Sequence, residues 1–242
     1  MDLNSSKSAA RLAGLLWLLV AVTAGFSLIY VRPRLIVSGD AATTVKNLIA
    51  LESLFRAGIA SFILSEIFLF FFGLTIFQLF KRANQTLAAI CFASLLISAS
   101  VGVTNSLSNL GALTLVTNPD YVRAFQPDQL NAIAMTFLRM NNYGIGLAEI
   151  FTAIFLFCFG LLIIRSGYLP KILGILLMIG ACAFPINTFT KILVPQFYPV
   201  LMTQLTMLLN ALGPPATILW LLIKGAKAPS FEDAAHSTSR LS

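Results

Sequence analysis

Residues 57–80 read AGIASFILSEIFLFFFGLTIFQLF, and Glu66 is the lone charge in these 24 residues. At about 1.5 Å of rise per residue, about 20 apolar residues of helix cross a hydrocarbon core of roughly 30 Å. The run ends on Lys81-Arg82, a cationic pair suited to the headgroup layer. Five more runs have the same character, at 12–31, 87–116, 140–164, 172–194 and 200–223. They predict an all-α fold, a polytopic membrane protein built as a six-transmembrane-helix bundle. The membrane domain covers 1–227, and the small and polar residues 228–242 read as a flexible cytoplasmic tail.

Composition agrees with that reading. Of the 242 residues, 58% are hydrophobic and only 10% charged, with a mean hydropathy of +0.88. Soluble domains carry about 25% charged residues. The net charge of +7 is spread over the loops, as cytoplasmic loops of membrane proteins require, and no nucleic-acid partner is expected. Cys91, Cys158 and Cys182 fall inside apolar runs, where they act as small buried hydrophobes. The one histidine, His236, lies in the polar tail, which removes histidine-based metal binding from the bundle. No metal or cofactor is expected.

The first run could serve as a signal peptide, but it continues apolar well past Ala24, which favours a retained first helix. Bases at alternate ends of the spans number nine on the side of the termini and seven on the other, where Asp40, Glu52, Asp120 and Asp128 dilute them. Both termini are therefore expected in the cytoplasm. The two long connections on the opposite side carry helix signals. Asp40 is a good N-cap for a helix over 41–55, with Val45, Leu48, Ile49 and Phe55 on one face. Asn118-Pro119-Asp120 and Gln126-Pro127-Asp128 are two further helix starts with proline in the first turn. Each connection is expected to contribute an outer interfacial amphipathic helix feeding into the next span.

An 83-residue offset relates Arg56, Glu66-Ile67-Phe68 and Arg82 to Arg139, Glu149-Ile150-Phe151 and Arg165. Duplicated hairpins are common in membrane folds, and sites often lie where repeats meet.

Several stretches resemble a bacterial membrane family known as domain of unknown function 4386. They are Ala10 to Leu16, Gly39-Asp40 leading to Asn47 and Glu52 to Arg56, then Arg165-Ser166-Gly167-Tyr168-Leu169-Pro170-Lys171-Ile172-Leu173-Gly174, and Leu219 to Gly225. The resemblance runs from about residue 9 to 227. It implies a polytopic protein of the bacterial inner membrane and brings no activity with it.

Candidate site residues follow from the cost of burying polarity. An acid near the bilayer centre costs about 2.5–3.5 kcal/mol on insertion scales. Glu66 and Glu149 lie close to the midplane of their spans, so they read either as a ligand-linked site or as hydrogen-bonding struts between helices. Arg56 and Arg139 precede them by ten residues, about 15 Å along the helix, too far for an arginine to reach. These arginines read either as snorkelling to the surface or as an outer vestibule for an anionic lipid or small molecule, positioned by Asp40, Asn47 and Glu52. Pro185 and Gly213-Pro214-Pro215 break the last two spans and free backbone carbonyls. Asn210 is placed to meet them and to join a polar layer with Ser98, Cys182 and the two glutamates. The many Ser, Thr and Asn of the third span, from Ser98 to Asn109, suit close helix packing.

No phosphate-cradling loop, metal-ligand spacing or nucleophile elbow is present in the sequence. The leading expectation is a non-enzymatic, transporter-like or ligand-binding membrane protein with a polar site open to the outer face. Two others stay open: a structural or regulatory membrane component without substrate, and an intramembrane lipid-modifying enzyme.

Overall fold

A computed structural model describes residues 3–194 and 200–226. Six of its helical stretches are long and apolar enough to cross a membrane: Lys7–Leu35, Glu52–Phe80, Gln85–Thr117, Pro127–Ser166, Lys171–Leu193 and Gln204–Ile223. The protein is all-helical over the described residues. The tail over 228–242 lies outside them.

The first span begins as α1 (Leu3–Gly25), widens into a π-helical segment over Phe26–Val31, and closes as α2 (Arg32–Leu35). The Arg32 N–H donates to Ser27 O, five residues back. Pro33 has no N–H to offer the regular ladder, and a wider turn ahead of it absorbs that loss. The span therefore runs past Val31 and carries Arg32 on the helix rather than in a loop.

The helix α3 covers Ala41–Ala50, and Asp40 caps it through Thr43 N–H at 2.8 Å. The helix expected over 41–55 stops at Ala50, because Leu51 leaves helical geometry at φ −114°, ψ 33°. Glu52 then opens α4 (Glu52–Phe80), so Phe55 belongs to the second span. Asn84 caps α5 (Gln85–Thr117), and Asn118 caps the short α6 (Pro119–Ala124). A capping box between Gln126 and Gln129 starts α7 (Pro127–Ser166), which runs unbroken for 40 residues. α8 is Lys171–Leu193, and the last span is broken into α9 (Val200–Asn210) and α10 (Gly213–Ile223) at the predicted glycine and prolines.

α5 stands between α4 and α7 and packs on both, α8 packs on α7, and α1 lies against α4 and α10. Gly225 sits against Lys7, so both ends of the described chain share one end of the bundle. That end is an aromatic core. Trp17 stacks on Phe72 at 4.9 Å, Phe72 meets Phe155 edge-on at 5.6 Å, and Phe80 meets Phe159 at 5.6 Å and Tyr168 at 5.3 Å. Such pairs add about 0.5–1.5 kcal/mol each beyond their burial. The opposite end has its own core, in which Val45 and Leu48 of α3 pack with Leu113, Val116, Leu130 and Leu138.

The Arg165–Gly174 stretch is the tight hairpin between α7 and α8. Gly167 takes the left-handed C-cap conformation (φ 67°), Pro170 precedes the next helix, and Tyr168 and Leu169 are buried in the aromatic core. One turn inward, Gly160 and Gly174 let the two backbones touch: a β-carbon on either would stand 2.6 Å from the other's carbonyl oxygen. Neither backbone can yield cheaply, so Gly160→Leu or Gly174→Leu should lower stability by about 1–3 kcal/mol. Thermal unfolding of the purified variants in detergent measures this; a midpoint equal to wild type would contradict the contact.

Candidate functional site

The polar residues inside the spans divide into two groups. The first group joins helices. Ser98 of α5 donates to Ala148 O at 3.0 Å and lies 2.9 Å from the Thr152 hydroxyl. Asn105 and Asn141 each donate a side-chain N–H to the other's backbone carbonyl, at 2.8 and 3.3 Å, and Asn105 packs directly over Gly144. Thr188 of α8 donates to Gly146 O at 3.1 Å. These bonds form a seam along α7, as expected for the serines and asparagines of the third span. Ser100 and Thr104 instead face outward and bond back to their own helix.

The second group lines a cavity of about 660 Å³, within the size range of small-molecule sites. One wall is a single face of α7, with Met135, Leu138, Arg139, Asn142, Ile145, Gly146 and Glu149 recurring at helical spacing. Met135 to Glu149 is 14 residues, about 21 Å along the axis, so the cavity is an elongated cleft rather than a dimple. α8 supplies Asn187, Thr188 and Lys191, the first span supplies Leu28, Arg32 and Pro33, Ile36 follows just after it, and Met207 comes from α9. Ser38 and Gly39, both exposed in the α2–α3 connection, mark the mouth at the end away from the termini.

Three cations and one carboxylate face this space. Arg32 and Lys191 are close enough to Glu149 for their charges to interact, yet no ion pair within 4.0 Å forms between them. Lys191 is held by a 3.4 Å bond to Asn142 O and by the ring of Tyr143, 5.4 Å from its ammonium. Among the described residues, no hydrogen bond satisfies the guanidinium of Arg32 or of Arg139. A small cavity of about 30 Å³, room for about one water, adjoins Arg32 on its other side, between Ser27, Asn109 and Asn141.

The structure separates the two glutamates. Glu149 lines the cavity. Glu66 is only 8% exposed and packs on α5, where a β-carbon at Gly102 would stand 2.6 Å from its Oε1, and its Oε2 has no hydrogen-bond partner among the described residues. The arginines part as well. Arg139 reaches the cavity, whereas Arg56, 56% exposed, pairs with Glu52 at 2.7 Å on the surface of α4. Asp40 caps α3, and the bonds it accepts from the Thr43 hydroxyl and N–H hold its carboxyl below the usual range. Asn47 straps α3 to the first span through Leu35 O at 3.3 Å. Asn210 donates to Gly180 O and Thr206 O, tying α9 to α8, and does not line the cavity. The polar layer expected with Cys182 does not form, because that thiol is exposed and turned back to Met178 O; Cys158 is half-buried and Cys91 buried.

Sequence reasoning did not single out Arg32, which it left outside the first span, or Lys191, which it placed near the end of the fifth span and counted only for orientation. The signal was present: each adjoins or lies within an apolar run, at the same end as the charge-bearing half of α7.

An orphaned carboxyl oxygen in an apolar bundle is costly, about 1–3 kcal/mol. Glu66→Met, similar in size and able to cover Gly102, should therefore raise the thermal midpoint, and Glu66→Gln should leave it nearly unchanged. A large loss in the Met variant would mean that the carboxyl holds helices together.

The end-to-end pattern of helices and the hairpin at 165–174 can be set against known proteins. No curated protein and no solved structure matches the chain. A family model described as "Domain of unknown function (DUF4386)" matches residues 12–225, nearly its whole length, and the chain belongs to that family.

Proposed function

We propose that this protein is a transporter-like or ligand-binding protein of the bacterial inner membrane, and that it admits its ligand into the cavity between the first span, α7, α8 and α9. One observation carries the reading: Arg32, Arg139, Lys191 and Glu149 all line a cavity of about 660 Å³ rather than one another. Ionisable groups within spans are expensive, and they characteristically line ligand or ion pathways. The helix-joining work that a purely structural protein would require is done by other residues, Ser98, Asn105, Asn141 and Thr188.

The cavity mouth is read as the outer side, with both termini in the cytoplasm. Leaving out every base that lies within a span keeps Lys46 and Arg123 on the mouth side against Lys81, Arg82, Lys224, Lys227 and Arg240 on the side of the termini, which strengthens the positive-inside bias.

Water access separates this reading from a dry structural bundle. In a background whose three native cysteines are replaced by alanine, Asn142→Cys should react with a membrane-impermeant maleimide added outside intact cells. A reporter fused after Lys227 should be active only in the cytoplasm. An unreactive thiol at this position in folded protein would favour the structural reading, and reaction only from the cytoplasmic side would reverse the orientation.

A further inference from the structure

We infer that the cavity is an oxyanion site, in which Arg32 and Lys191 clamp the phosphate or carboxylate group of the ligand and Arg139 guards the approach. The inference rests on the ligand-binding reading above and adds the chemical class of ligand and the residues that select it.

Charge balance is the first argument. Three cations line the cavity and Glu149 is the one carboxylate among its described walls. Arg139 is exposed at the approach, but Arg32, Lys191 and Glu149 are half-buried, and with all three ionised that part of the site still carries excess positive charge where an uncompensated charge is costly. An anion entering the cavity supplies that compensation.

Hydrogen-bond inventory is the second. A guanidinium carries five N–H donors and an ammonium three. The half-buried side chain of Arg32 makes no hydrogen bond among the described residues, and half-buried Lys191 makes one, at 3.4 Å to Asn142 O, whereas Arg139 is exposed and its donors are open to water. Donors with no acceptor inside a bundle point to an acceptor-rich ligand, and oxyanions accept bidentate bonds from arginine. Arg32 owes its position to the π-helical segment and Pro33. The same geometry brings it beside the small, mostly apolar cavity whose polar lining residues include Asn109 and Asn141.

The walls supply the third argument. The lining is mixed, with apolar Leu28, Ile145 and Met207 beside polar Asn142, Asn187 and Thr188. A charged head with an apolar body fits such a surface better than a bare ion. Glu149 lies at the deep end and opposes anions there, which confines the head to the Arg32–Lys191 level and leaves the carboxylate to contact any hydrogen-bond donor the ligand carries.

The test uses full-length protein in phosphatidylcholine nanodiscs with the Asn142→Cys reporter. Dodecyl phosphate, inorganic phosphate and dodecyltrimethylammonium are compared for protection against a hydrophilic maleimide. Dodecyl phosphate should protect, and the cationic amphiphile should not. Arg32→Gln and Lys191→Gln should each weaken protection by about tenfold or more, as expected for a lost charge-assisted hydrogen bond, while Lys191→Arg keeps it and serves as the folded control. Protection by inorganic phosphate at similar concentrations would identify a small soluble oxyanion as the ligand; protection by dodecyl phosphate alone would identify an amphiphile or lipid head. Labelling that no anion prevents, equal protection by the cation, or unchanged protection in both Gln variants would overturn the oxyanion assignment while leaving the cavity reading intact. A reporter thiol that never labels would overturn both.

Discussion

Within a bilayer no water is available to satisfy a polar group, so each polar side chain on a span must meet either protein or a hydrated cavity. The rest of the structure follows from how this chain meets that demand. Along the α5–α7–α8 layer the demand is met by protein. Asn105 and Asn141 exchange bonds across two helices, Ser98 reaches Ala148, and Thr188 reaches Gly146. On the cavity side of α7, where Gly146 and Thr188 also form part of the wall, protein meets it only in part, and the helices stand apart around Arg32, Arg139, Lys191 and Glu149.

The two ends of the bundle are built for different tasks. Near the termini, the Gly167 turn, the Gly160–Gly174 backbone contact and the ring cluster from Trp17 to Tyr168 close the helices tightly. Interlocked aromatics and touching backbones leave few alternative packings. At the far end the first span loosens into π-helix, α8 carries Pro185 past its middle, and the last span breaks between Asn210 and Gly213 deeper in the bundle, against Leu176 to Gly180 of α8. Helix irregularity in membranes is tolerated where it is buried in protein or borders a cavity. Here two of those irregular elements, the first span and α8, supply the cations Arg32 and Lys191 to the cavity. A bundle rigid at one end and irregular at the other suits the admission of a ligand from one side.

Hydrophobic run length made the six spans and the all-helical class legible in the sequence, because bilayer thickness leaves so little choice. Caps were legible for the same local reason: Asp40, Asn118 and the Gln126 box act as their chemistry dictates. What distance along one helix could not reveal was which neighbour each side chain meets. Glu66 and Glu149 occupy matching positions in the 83-residue offset, yet Glu66 packs on Gly102 of α5 and Glu149 lines the cavity with residues of α8 and the first span. Arg56 and Arg139 divide similarly, because Glu52 sits one turn before Arg56 and captures it. Arg32 escaped notice because a proline beside a basic residue reads as a loop; only the backbone reveals a helix that widens and continues to Leu35.

The central claim is that Arg32, Arg139, Lys191 and Glu149 face an open, ligand-sized space instead of pairing with one another. An experimental density map of the protein in lipid nanodiscs tests it most directly. The account predicts Arg32, Lys191 and Glu149 lining a cavity that contains non-protein density, continuous with solvent past Ser38 and Gly39. A collapsed interior, with Arg32 or Lys191 in direct ion pairs to Glu149 and no enclosed density, would contradict it.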